Sequence, residues 1–489
     1  MGFNTKAIIK VLSLVVIILG TVMFVPVLFS LYYGEFFASR VFLTTASSII
    51  IIGSIIFFAL RKRTGTLKTR DGILAINLVW ITCVFVSAIP FCITSGVSFV
   101  DAIFESTSGF TTTGASVLTD IESFPKSLLF WRSFTNWLGG LSIIILVISV
   151  FPLVGGRGQI IISSESLRSR SDKITSKYAD MAKRLFLYYV FMTAACIFLL
   201  VLSHLNMFEA INTSLSTVST GGFSVFNDRL TGIDNTYTLI ILILFMIFGS
   251  INFALYYQLF SVHWREFFRD TELRWYIFII IAGSTLITLD TFLTGKIADL
   301  SHAIIQSLFS FVSIVSTTGF VIVNYDKWSS FAIMILFIAM FIGGCSASTA
   351  GGIKTYRVVV IYKLIKRNLS RRLHPNAVVS IRSDEGPMRA DFVSSISAFV
   401  FVYIIILFTS TLILSIANQD LYTTLSAVIA CLGNIGPGFD SVGPLGSYEI
   451  FPWWGKLLLC IDMLAGRLEL FGFVLMATRW FWDPDKYNA

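Results

Sequence analysis

Short polar stretches recur inside a chain that is otherwise rich in Ile, Leu, Phe and Val. Four of them align on a glycine, at separations of 108, 97 and 117 residues. The aligned glycines are Gly114, Gly222, Gly319 and Gly436, and two positions earlier stand Thr112, Thr220, Thr317 and Asn434. Glycine permits tight, non-helical turns whose backbone carbonyls point inward and replace the water shell of a cation. The repetition therefore predicts a cation path built from backbone oxygens.

An apolar run of about 13 residues precedes each aligned stretch. As a helix it is about 20 Å long, too short for a bilayer core of about 30 Å, so the chain must enter and turn back. Three of the runs begin at good N-cap residues, namely Ser98, Asn206 and Asp420. The third run has Ala303 in that column, so its helix is expected to begin near Asp299 or Ser301. The helices direct their partly negative C-terminal ends at one place, which also favours a cation.

The elements that position these turns must cross a membrane. A chain of 489 residues with 55% hydrophobic and 13% charged residues is not an ordinary soluble globular protein. About 20 apolar residues make one span. The expected ten spans are 8–33, 39–60, 72–95, 127–152, 184–204, 237–262, 274–295, 329–345 with 353–366, 393–416 and 453–479. The first run is too long for a cleaved signal peptide and is expected to remain.

The predicted fold is an all-α polytopic membrane protein. Four fused repeats of span, pore helix and span surround a central pore, after two extra N-terminal transmembrane helices. The expected divisions are 1–70 for the two N-terminal helices, 71–183 for repeat 1, 184–273 for repeat 2, 274–392 for repeat 3 with an intramembrane gating loop, and 393–489 for repeat 4.

The distribution of basic residues predicts the orientation. One set of loops carries 28 of the 36 Lys and Arg residues, whereas the opposite loops are short and acidic, with residues such as Asp326 and Asp440. By the positive-inside rule both termini are cytoplasmic. The net charge of +8 is thus explained by topology and does not indicate a nucleic-acid partner.

Two further features lie below the aligned turns. Small residues recur at one level of the last spans, at Gly139-Gly140, Gly249-Ser250 and Gly343-Gly344, and are expected to leave room at the centre. The fourth unit has Gly466-Arg467 there. A charge at mid-span is costly and rarely faces lipid. Arg467 is interpreted as a positive barrier in the pore, or alternatively as a partner in an interhelical ion pair.

The third unit contains the irregular stretch "GGCSASTAGGIKTYR" where a single span is expected. Its glycines and serines disfavour continuous helix, and unwound backbone persists at membrane depth only beside water or protein. The stretch predicts a loop across the path, although an ordinary kink is the alternative. The candidate gate residues are Gly343, Gly344, Ser346, Ala347, Ser348, Thr349, Ala350, Gly351, Gly352 and the nearby cation Lys354.

These motifs resemble the Trk/Ktr/HKT superfamily of potassium transporters, closest to its TrkH type. The resemblance rests on "TTTGAS", "STGGFS", "STTGF", "GNIGPGF", "RSFTNWLGG", "GGCSASTAGGIK" and "GRLELF", which cover nearly the whole chain. The extra N-terminal pair of spans matches the Trk type better than the Ktr type. The resemblance implies potassium uptake across a bacterial inner membrane.

The resemblance also implies roles for individual residues. The filter would comprise Thr112, Thr113, Gly114, Thr220, Gly221, Gly222, Thr317, Thr318, Gly319, Asn434, Ile435 and Gly436, with K⁺ as the transported ion bound there. The loop from Gly343 to Gly352 would be the gate and Arg467 a constriction. Gly114 suggests potassium, since relatives that prefer sodium often carry serine there. Two residues depart from the family pattern, because Ala347 and Ser142 stand where glycine is common.

The implied partners are a second copy in a homodimer, membrane lipid, and a cytosolic TrkA-like regulatory subunit that binds nucleotides. The chain agrees with this division, because its longest polar stretches, 155–183 and 367–392, are too short for a nucleotide-binding domain and contain no P-loop or Rossmann pattern. No organic cofactor is expected in this chain.

Two other functions compete with potassium uptake. An enzyme is disfavoured, because acids such as Asp101, Glu105 and Glu209 lie where helix capping accounts for them and the four histidines lack metal-ligand spacing. A sodium-conducting protein or a cation-coupled symporter, driven by H⁺ or Na⁺, fits the same scaffold. The sequence does not separate these two from channel-like potassium flux.

Overall fold

A computed structural model of the chain describes residues 3–60, 68–154, 174–231, 233, 235–259, 264–374, 379–384 and 386–483. The side chains of 142–154 and 174–181 also fall outside this description, and with them that of Ser142. Several expected basic loop positions, including Arg61 to Arg63, those in 155–173 and Lys486, lie outside the described residues. The described part is almost entirely helical, with one two-residue antiparallel pair, β1 (Arg382–Ser383) and β2 (Gly386–Pro387).

The chain begins with a helical hairpin. It consists of α1 (Thr5–Val22), α2 (Phe24–Tyr32) and α3 (Phe36–Ala59). Asn4 caps α1, because its side chain accepts a hydrogen bond from the backbone N–H of Ala7 at 3.2 Å. Two glycines permit the close helix crossing: a Cβ on Gly20 would lie 2.7 Å from Ile50, and one on Gly53 would lie 2.9 Å from Ile17.

Four units then repeat the same order of elements, in which a long helix, a short pore helix and an irregular segment precede an inner helix. Their helices are α4 (Thr69–Ser95), α5 (Phe99–Phe110) and α6 (Lys126–Val154); α7 (Ile174–Leu202), α8 (Met207–Val218), α9 (Thr236–Ser250), α10 (Phe253–Leu259) and α11 (Trp264–Phe267); α12 (Thr271–Leu293), α13 (Leu300–Val315), α14 (Ser330–Ile342) and α15 (Thr355–Leu373); and α16 (Ala390–Leu414), α17 (Leu421–Leu432), α18 (Trp453–Arg467), α19 (Phe471–Ala477) and α20 (Arg479–Trp482).

The pore helices begin as the sequence indicates. Ser98, Asn206 and Asp420 each cap their helix, accepting from Asp101 N, Glu209 N and Tyr422 N respectively. The third pore helix begins at Leu300, and Asp299 caps it by accepting from His302 N at 3.0 Å. The earlier start expected for this helix is therefore confirmed at Asp299. The side of the molecule where the pore helices begin is called the mouth side below.

Within the described residues, six helices are long and apolar enough to cross a membrane, in addition to shorter apolar helices. The expected single spans 237–262 and 453–479 are instead each divided in two. The first breaks at Ile251, whose ψ of 149° is extended, and the second at Glu469 and Leu470, both with positive φ. The expected separation of segments 329–345 and 353–366 is confirmed, because a loop lies between the end of α14 at Ile342 and the start of α15 at Thr355.

The pore helices form the centre of the molecule. Residues 102–110 of α5 are all buried, as are residues 426–432 of α17. Large apolar side chains on the long helices stay exposed, for example Phe191 at 65% and Phe401 at 70%. Side chains of this kind suit contact with lipid, so the long helices shield the buried pore helices from the bilayer.

Candidate functional site

The four aligned stretches adopt one backbone conformation. The residues two positions before the glycines have φ between 53° and 57°, at Thr112, Thr220, Thr317 and Asn434. The glycines themselves have φ of 79°, 70°, 74° and 101°, at Gly114, Gly222, Gly319 and Gly436. For residues other than glycine this left-handed region costs about 1–2 kcal/mol. Four equal departures from ordinary geometry indicate that the surrounding structure imposes this backbone. The twelve residues from these stretches are called the filter segments.

The filter segments close into a ring. A Cβ built on Gly114 would meet the carbonyl oxygen of Gly221, one on Gly222 that of Thr318, and one on Gly319 that of Ile435. The last contact returns to the first repeat, because a Cβ on Gly436 would lie 2.5 Å from the carbonyl oxygen of Thr113. Each glycine thus packs against the carbonyl one position before the glycine of the next repeat. The order of repeats around the ring is 1, 2, 3, 4 and back to 1.

Hydroxyl and amide side chains form hydrogen bonds within and between the filter segments. The hydroxyls of Thr111 and Thr113 lie 2.8 Å apart, as do those of Ser316 and Thr318. Asn434 occupies the position of a threonine in the other repeats and donates to Thr113 Oγ1 at 3.0 Å and to the Met463 carbonyl at 2.9 Å. The amide therefore joins repeat 4 to repeat 1 and to its own inner helix.

The inner helices approach the C-terminal ends of the pore helices. A Cβ on Gly139, Gly249 or Gly466 would collide with the last carbonyl of its own pore helix, that of Phe110, Val218 or Leu432 respectively. Gly139 and Gly249, which were expected to leave room at the centre, are instead small because the inner helix touches its pore helix there, as it does at Gly466 in repeat 4. Gly343 and Gly344, expected to act in the same way, closely approach Gly351 and Ala350 of the following loop.

The segment between α14 and α15 lies directly beneath the filter. The backbone N–H of Gly351 donates to Thr317 Oγ1 at 2.8 Å, and Thr220 Oγ1 donates to Thr349 Oγ1 at 3.0 Å. Thr349 Oγ1 in turn donates to the Gly249 carbonyl at 2.9 Å. The predicted intramembrane loop is therefore a true break in the span and not a kink. Its residues contact the filter segments of repeats 2 and 3.

A buried carboxylate tethers both ends of this loop. Glu272, 7% exposed at the start of α12, accepts from the backbone N–H of Ser346 at 2.6 Å and of Tyr356 at 3.2 Å. Lys354 is also buried, and its ammonium donates to the Ala350 carbonyl at 2.9 Å. The loop is thus held in one arrangement by charge-assisted hydrogen bonds to its backbone.

Backbone strain is present in the loop as well. Ala347 has φ of 54° and Lys354 has φ of 74°, a region that favours glycine. The family resemblance implies that glycine is common at position 347, and a positive φ is a physical reason for such a preference. In this chain the loop carries the strain of an alanine in the left-handed region.

Arg467 connects the loop to the opposite side of the molecule. Its guanidinium donates to the Thr349 carbonyl at 2.5 Å and to the Gly139 carbonyl at 3.2 Å, and the residue is 5% exposed. In the part of the chain that the structure describes, Arg467 forms no ion pair with a carboxylate. The geometry therefore favours the positive barrier over the interhelical ion pair. Together the loop and Arg467 contact all four repeats.

Several buried polar atoms along this path have no protein partner among the described residues. They are Thr112 Oγ1, both side-chain polar atoms of Asn136, Asn434 Oδ1 and Arg467 Nε. Buried polar groups are normally satisfied by protein or water. Atoms of this kind are available to a hydrated ion, so their concentration around the filter segments is consistent with a path for ions.

Two carboxylates lie in the loops of repeats 3 and 4 on the mouth side. Burial is the main cause that raises the pKa of Asp326 to about 6; a backbone hydrogen bond from Asp440 lowers this pKa and the negative charge of Asp440 raises it. A hydrogen bond from the Thr423 hydroxyl at 2.9 Å is the main cause that lowers the pKa of Asp440. Asp440 is therefore negative at neutral pH, whereas Asp326 gains its charge as the pH rises through about 6. Negative charge at a mouth concentrates cations there.

Sequence reasoning missed two acids at this site. Glu105 reads as a residue at the beginning of a helix, where capping explains it, yet it is fully buried and accepts from the backbone N–H of Val117 just beyond filter segment 1. Glu272 reads as part of an ordinary helix start, yet it holds the loop. In both cases the only signal in the sequence is an acidic residue close to an irregular segment. The role of each acid depends on the backbone N–H group that it binds, at Val117 or at Ser346, which the sequence does not identify.

Comparisons with known proteins agree with this architecture. The family profile described as "TrkH: Cation transport protein" matches residues 38–483. "Trk system potassium uptake protein TrkH" of Escherichia coli (strain K12) is 32% identical over 98% of this chain and 99% of its own length. "Trk system potassium uptake protein TrkI" of Halomonas elongata is 28% identical over 97% and 96%. The crystal structure of the potassium transporter TrkH from Vibrio parahaemolyticus superposes with a TM-score of 0.88, at 31% identity and over 98% and 100% of the two chains.

The glycine contacts generate a first prediction. Gly222→Ala should lower cation flux about tenfold or more, because overpacking against the Thr318 carbonyl costs about 1–3 kcal/mol. Gly96→Ala is the matched control, since Gly96 has the same φ of 70° but no atom within 4 Å of the added Cβ. Tracer flux per folded protein in proteoliposomes measures both. Equal losses for the two variants would show that backbone strain, and not the ring contact, governs the effect.

A second prediction concerns the charge below the filter. Two unit charges about 4 Å apart repel by up to about 4 kcal/mol at an effective dielectric constant of about 20. Arg467→Ala should therefore raise cation flux about tenfold, whereas Arg467→Lys retains the charge and should stay near the parent value. Single-channel or tracer measurements decide between them. Unchanged or lost flux in a correctly folded Arg467→Ala protein contradicts the barrier role.

Proposed function

The chain belongs to the TrkH cation transport family, and from that premise we propose that it takes up potassium across a bacterial inner membrane through its four filter segments. It is a multi-pass membrane protein of a transporter family and not an enzyme. The observation that carries the proposal is the closed ring in which each aligned glycine packs on a carbonyl of the next repeat. Rings of backbone carbonyls are the ligands with which proteins dehydrate monovalent cations.

The potential across an energised membrane suffices to drive such uptake. It supplies about 2.3 kcal/mol per charge for each 100 mV, or about fiftyfold accumulation of a monovalent cation. Potassium is favoured over sodium because the relatives are named as potassium uptake proteins and because glycine, not serine, stands at position 114. In this proposal both termini are cytoplasmic, as the basic loops indicate, and the mouth side faces outward.

The gate in this proposal is the loop from Gly343 to Gly352 together with Arg467. The loop contacts filter residues Thr220 and Thr317, and Arg467 donates to Thr349. These contacts leave the path beneath the filter blocked by protein and by a positive charge. Opening then requires the loop to move away from Arg467, which breaks a charge-assisted hydrogen bond.

Regulation in this proposal comes from a cytosolic TrkA-like nucleotide-binding subunit, and two copies of the chain form a homodimer. The helix α15 follows the loop directly and carries five cations, of which Lys366, Arg371 and Arg372 are exposed and Lys363 and Arg367 are half-buried. Force applied to this helix reaches the loop without an intervening linker, because α15 begins at Thr355, only three residues after Gly352. The names of the relatives, which refer to a Trk system, support a partner of this kind.

The proposed selectivity predicts a specific competition result. Proteoliposomes containing the pure protein should accumulate rubidium tracer when a potassium gradient sets a negative interior. Excess unlabelled potassium should suppress this uptake, and the same excess of sodium should leave most of it. Equal suppression by the two ions would favour the sodium-conducting alternative. Uptake that needs an imposed proton or sodium gradient would favour a coupled symporter.

The gate assignment predicts a rise in resting flux when the loop is shortened. Deletion of residues 346–350 removes the Thr349 contacts with the filter and with Arg467, so the protein should leak rubidium without a partner subunit. Glu272→Ala should give a smaller rise, because it loses only the tether at Ser346 and Tyr356. Glu209→Ala, in the first turn of α8 at the mouth side, serves as the control. Resting flux equal to that of the parent protein in the deletion variant removes the gate assignment.

A further inference from the structure

The segments just beyond the filter are joined by a second ring of contacts. The carbonyl two residues after each aligned glycine accepts a hydrogen bond from the preceding repeat. Val321 accepts from Leu230 N at 3.1 Å, Gly438 from Tyr325 Oη at 3.2 Å, and Ser116 from Tyr448 N at 3.0 Å. Each such hydrogen bond between adjacent repeats is called a junction, and at these three of the four junctions the donor is a neutral group.

The junction between repeats 1 and 2 uses a charged donor instead. Arg132 of α6 donates from Nη1 to the Ser224 carbonyl at 2.8 Å, and the residue is 3% exposed. Its guanidinium also lies over the ring of Phe223, 3.7 Å from the centroid. Phe223 and Ser224 directly follow Gly222, so Arg132 contacts repeat 2 immediately after its filter segment.

The charge of Arg132 is balanced by a buried acid of repeat 1. Glu105, fully buried in α5, accepts from Arg132 Nε at 2.9 Å. Its other oxygen accepts from Ser116 Oγ at 2.6 Å and from Val117 N at 2.8 Å. Ser116 and Ser224 occupy the same register in their repeats, two residues after the glycine. The two side chains therefore join equivalent points of adjacent filter segments.

This arrangement differs from the corresponding position in the other repeats. The residues aligned with Glu105 are Thr213, Ser310 and Ala427, none of which carries a charge. A buried ion pair gives little net stability compared with apolar packing, because both groups lose hydration. It does fix geometry, since a guanidinium donates in a rigid planar fork and the carboxylate accepts along defined directions.

We propose that Glu105 and Arg132 are a positioning pair that sets the spacing between filter segments 1 and 2, and that this spacing determines how strongly the filter prefers potassium over sodium. The inference rests on the proposed function. Neither residue contacts the ion path, and both act through Ser116, Val117 and Ser224. Rings of carbonyls discriminate between ions by the size and number of their ligands, so a displaced segment weakens selectivity before it abolishes flux.

The decisive variant removes the ion pair without leaving an unpaired buried charge that would itself destabilise the protein. Removal of one partner leaves an uncompensated buried charge, so Glu105→Gln and Arg132→Met alone are each expected to impair folding. The double variant Glu105→Gln with Arg132→Met carries no unpaired charge. Its glutamine oxygen still accepts from Ser116 and Val117, but no donor reaches the Ser224 carbonyl. We expect this double variant to fold and to show a sodium-to-rubidium flux ratio about tenfold above that of the parent.

A second ion pair on the same pore helix provides the matched control. Asp101, one turn before Glu105, pairs with Lys456 of α18 at 2.6 Å and so joins repeat 1 to repeat 4. Among the described contacts, Asp101 bonds to no residue beyond a filter glycine. Asp101→Asn with Lys456→Met should change the flux ratio less than about twofold, although it removes an ion pair from the same helix.

The measurement is tracer flux of sodium and rubidium through proteoliposomes, with thermal unfolding recorded for every variant. A parent flux ratio retained by the double variant, or a control that shifts the ratio equally, overturns the proposal. Should the double variant not fold, Arg132→Lys decides, because it keeps the buried charge but loses the planar fork: a raised ratio supports the proposal and a parent ratio overturns it. Failure of the proposed function is distinct, since the parent protein would then carry no rubidium at all.

Discussion

Backbone groups at membrane depth must find hydrogen-bond or electrostatic partners inside the protein, because lipid offers none. The filter segments meet part of this constraint at the ends of their own pore helices, where the backbone N–H groups of Thr113, Gly221, Thr318 and Ile435 donate to the carbonyls of Ser108, Ser216, Ser313 and Ala430. Each segment has two residues with positive φ, and the second is a glycine that packs on a carbonyl of the next repeat. Because the left-handed region is costly for Thr and Asn, the packing of the closed ring helps to hold this conformation. In the proposed function the same ring lines a central path with oxygen atoms, so the packing of the segments and the binding of a cation depend on the same carbonyls.

The fourfold pattern at the filter contrasts with the asymmetry below it. The inner helices of repeats 1, 2 and 4 contact their pore helices through glycine, whereas the third repeat has a loop at this depth. Only the fourth repeat also places a charged residue, Arg467, at this level among the described inner helices. The loop bonds to Thr220 and Thr317, and Arg467 reaches Thr349 and Gly139. In the proposed function, symmetry is kept where four equivalent ligands bind the cation and is lost where one movable element blocks the path. A similar asymmetry occurs just beyond the filter, where one of four junctions depends on a charged pair.

Much of the upper architecture could be predicted from the sequence, because local patterns determine it. N-cap residues, short apolar runs and Thr/Gly turns appear in the same order four times, and Asp299 caps the exceptional helix as its sequence suggests. The breaks at Ile251 and at Glu469 could not be predicted, since neither contains a proline and the flanking Gly249-Ser250 and Gly466-Arg467 are also compatible with a continuous span. Asp101 and Glu105 lie one turn apart on one helix, yet only Glu105 is fully buried. Only the packing of α6 against α5 brings Arg132 to it and distinguishes the two acids.

In the proposed function, four converging backbone segments coordinate a dehydrated monovalent cation. Anomalous diffraction from crystals grown in rubidium tests this coordination, because rubidium replaces potassium and can be located without reference to the protein atoms. We expect density on the axis, bounded by carbonyl oxygens of residues 112–114, 220–222, 317–319 and 434–436. Rubidium bound only outside this ring, with the filter segments well ordered, would contradict coordination by these segments.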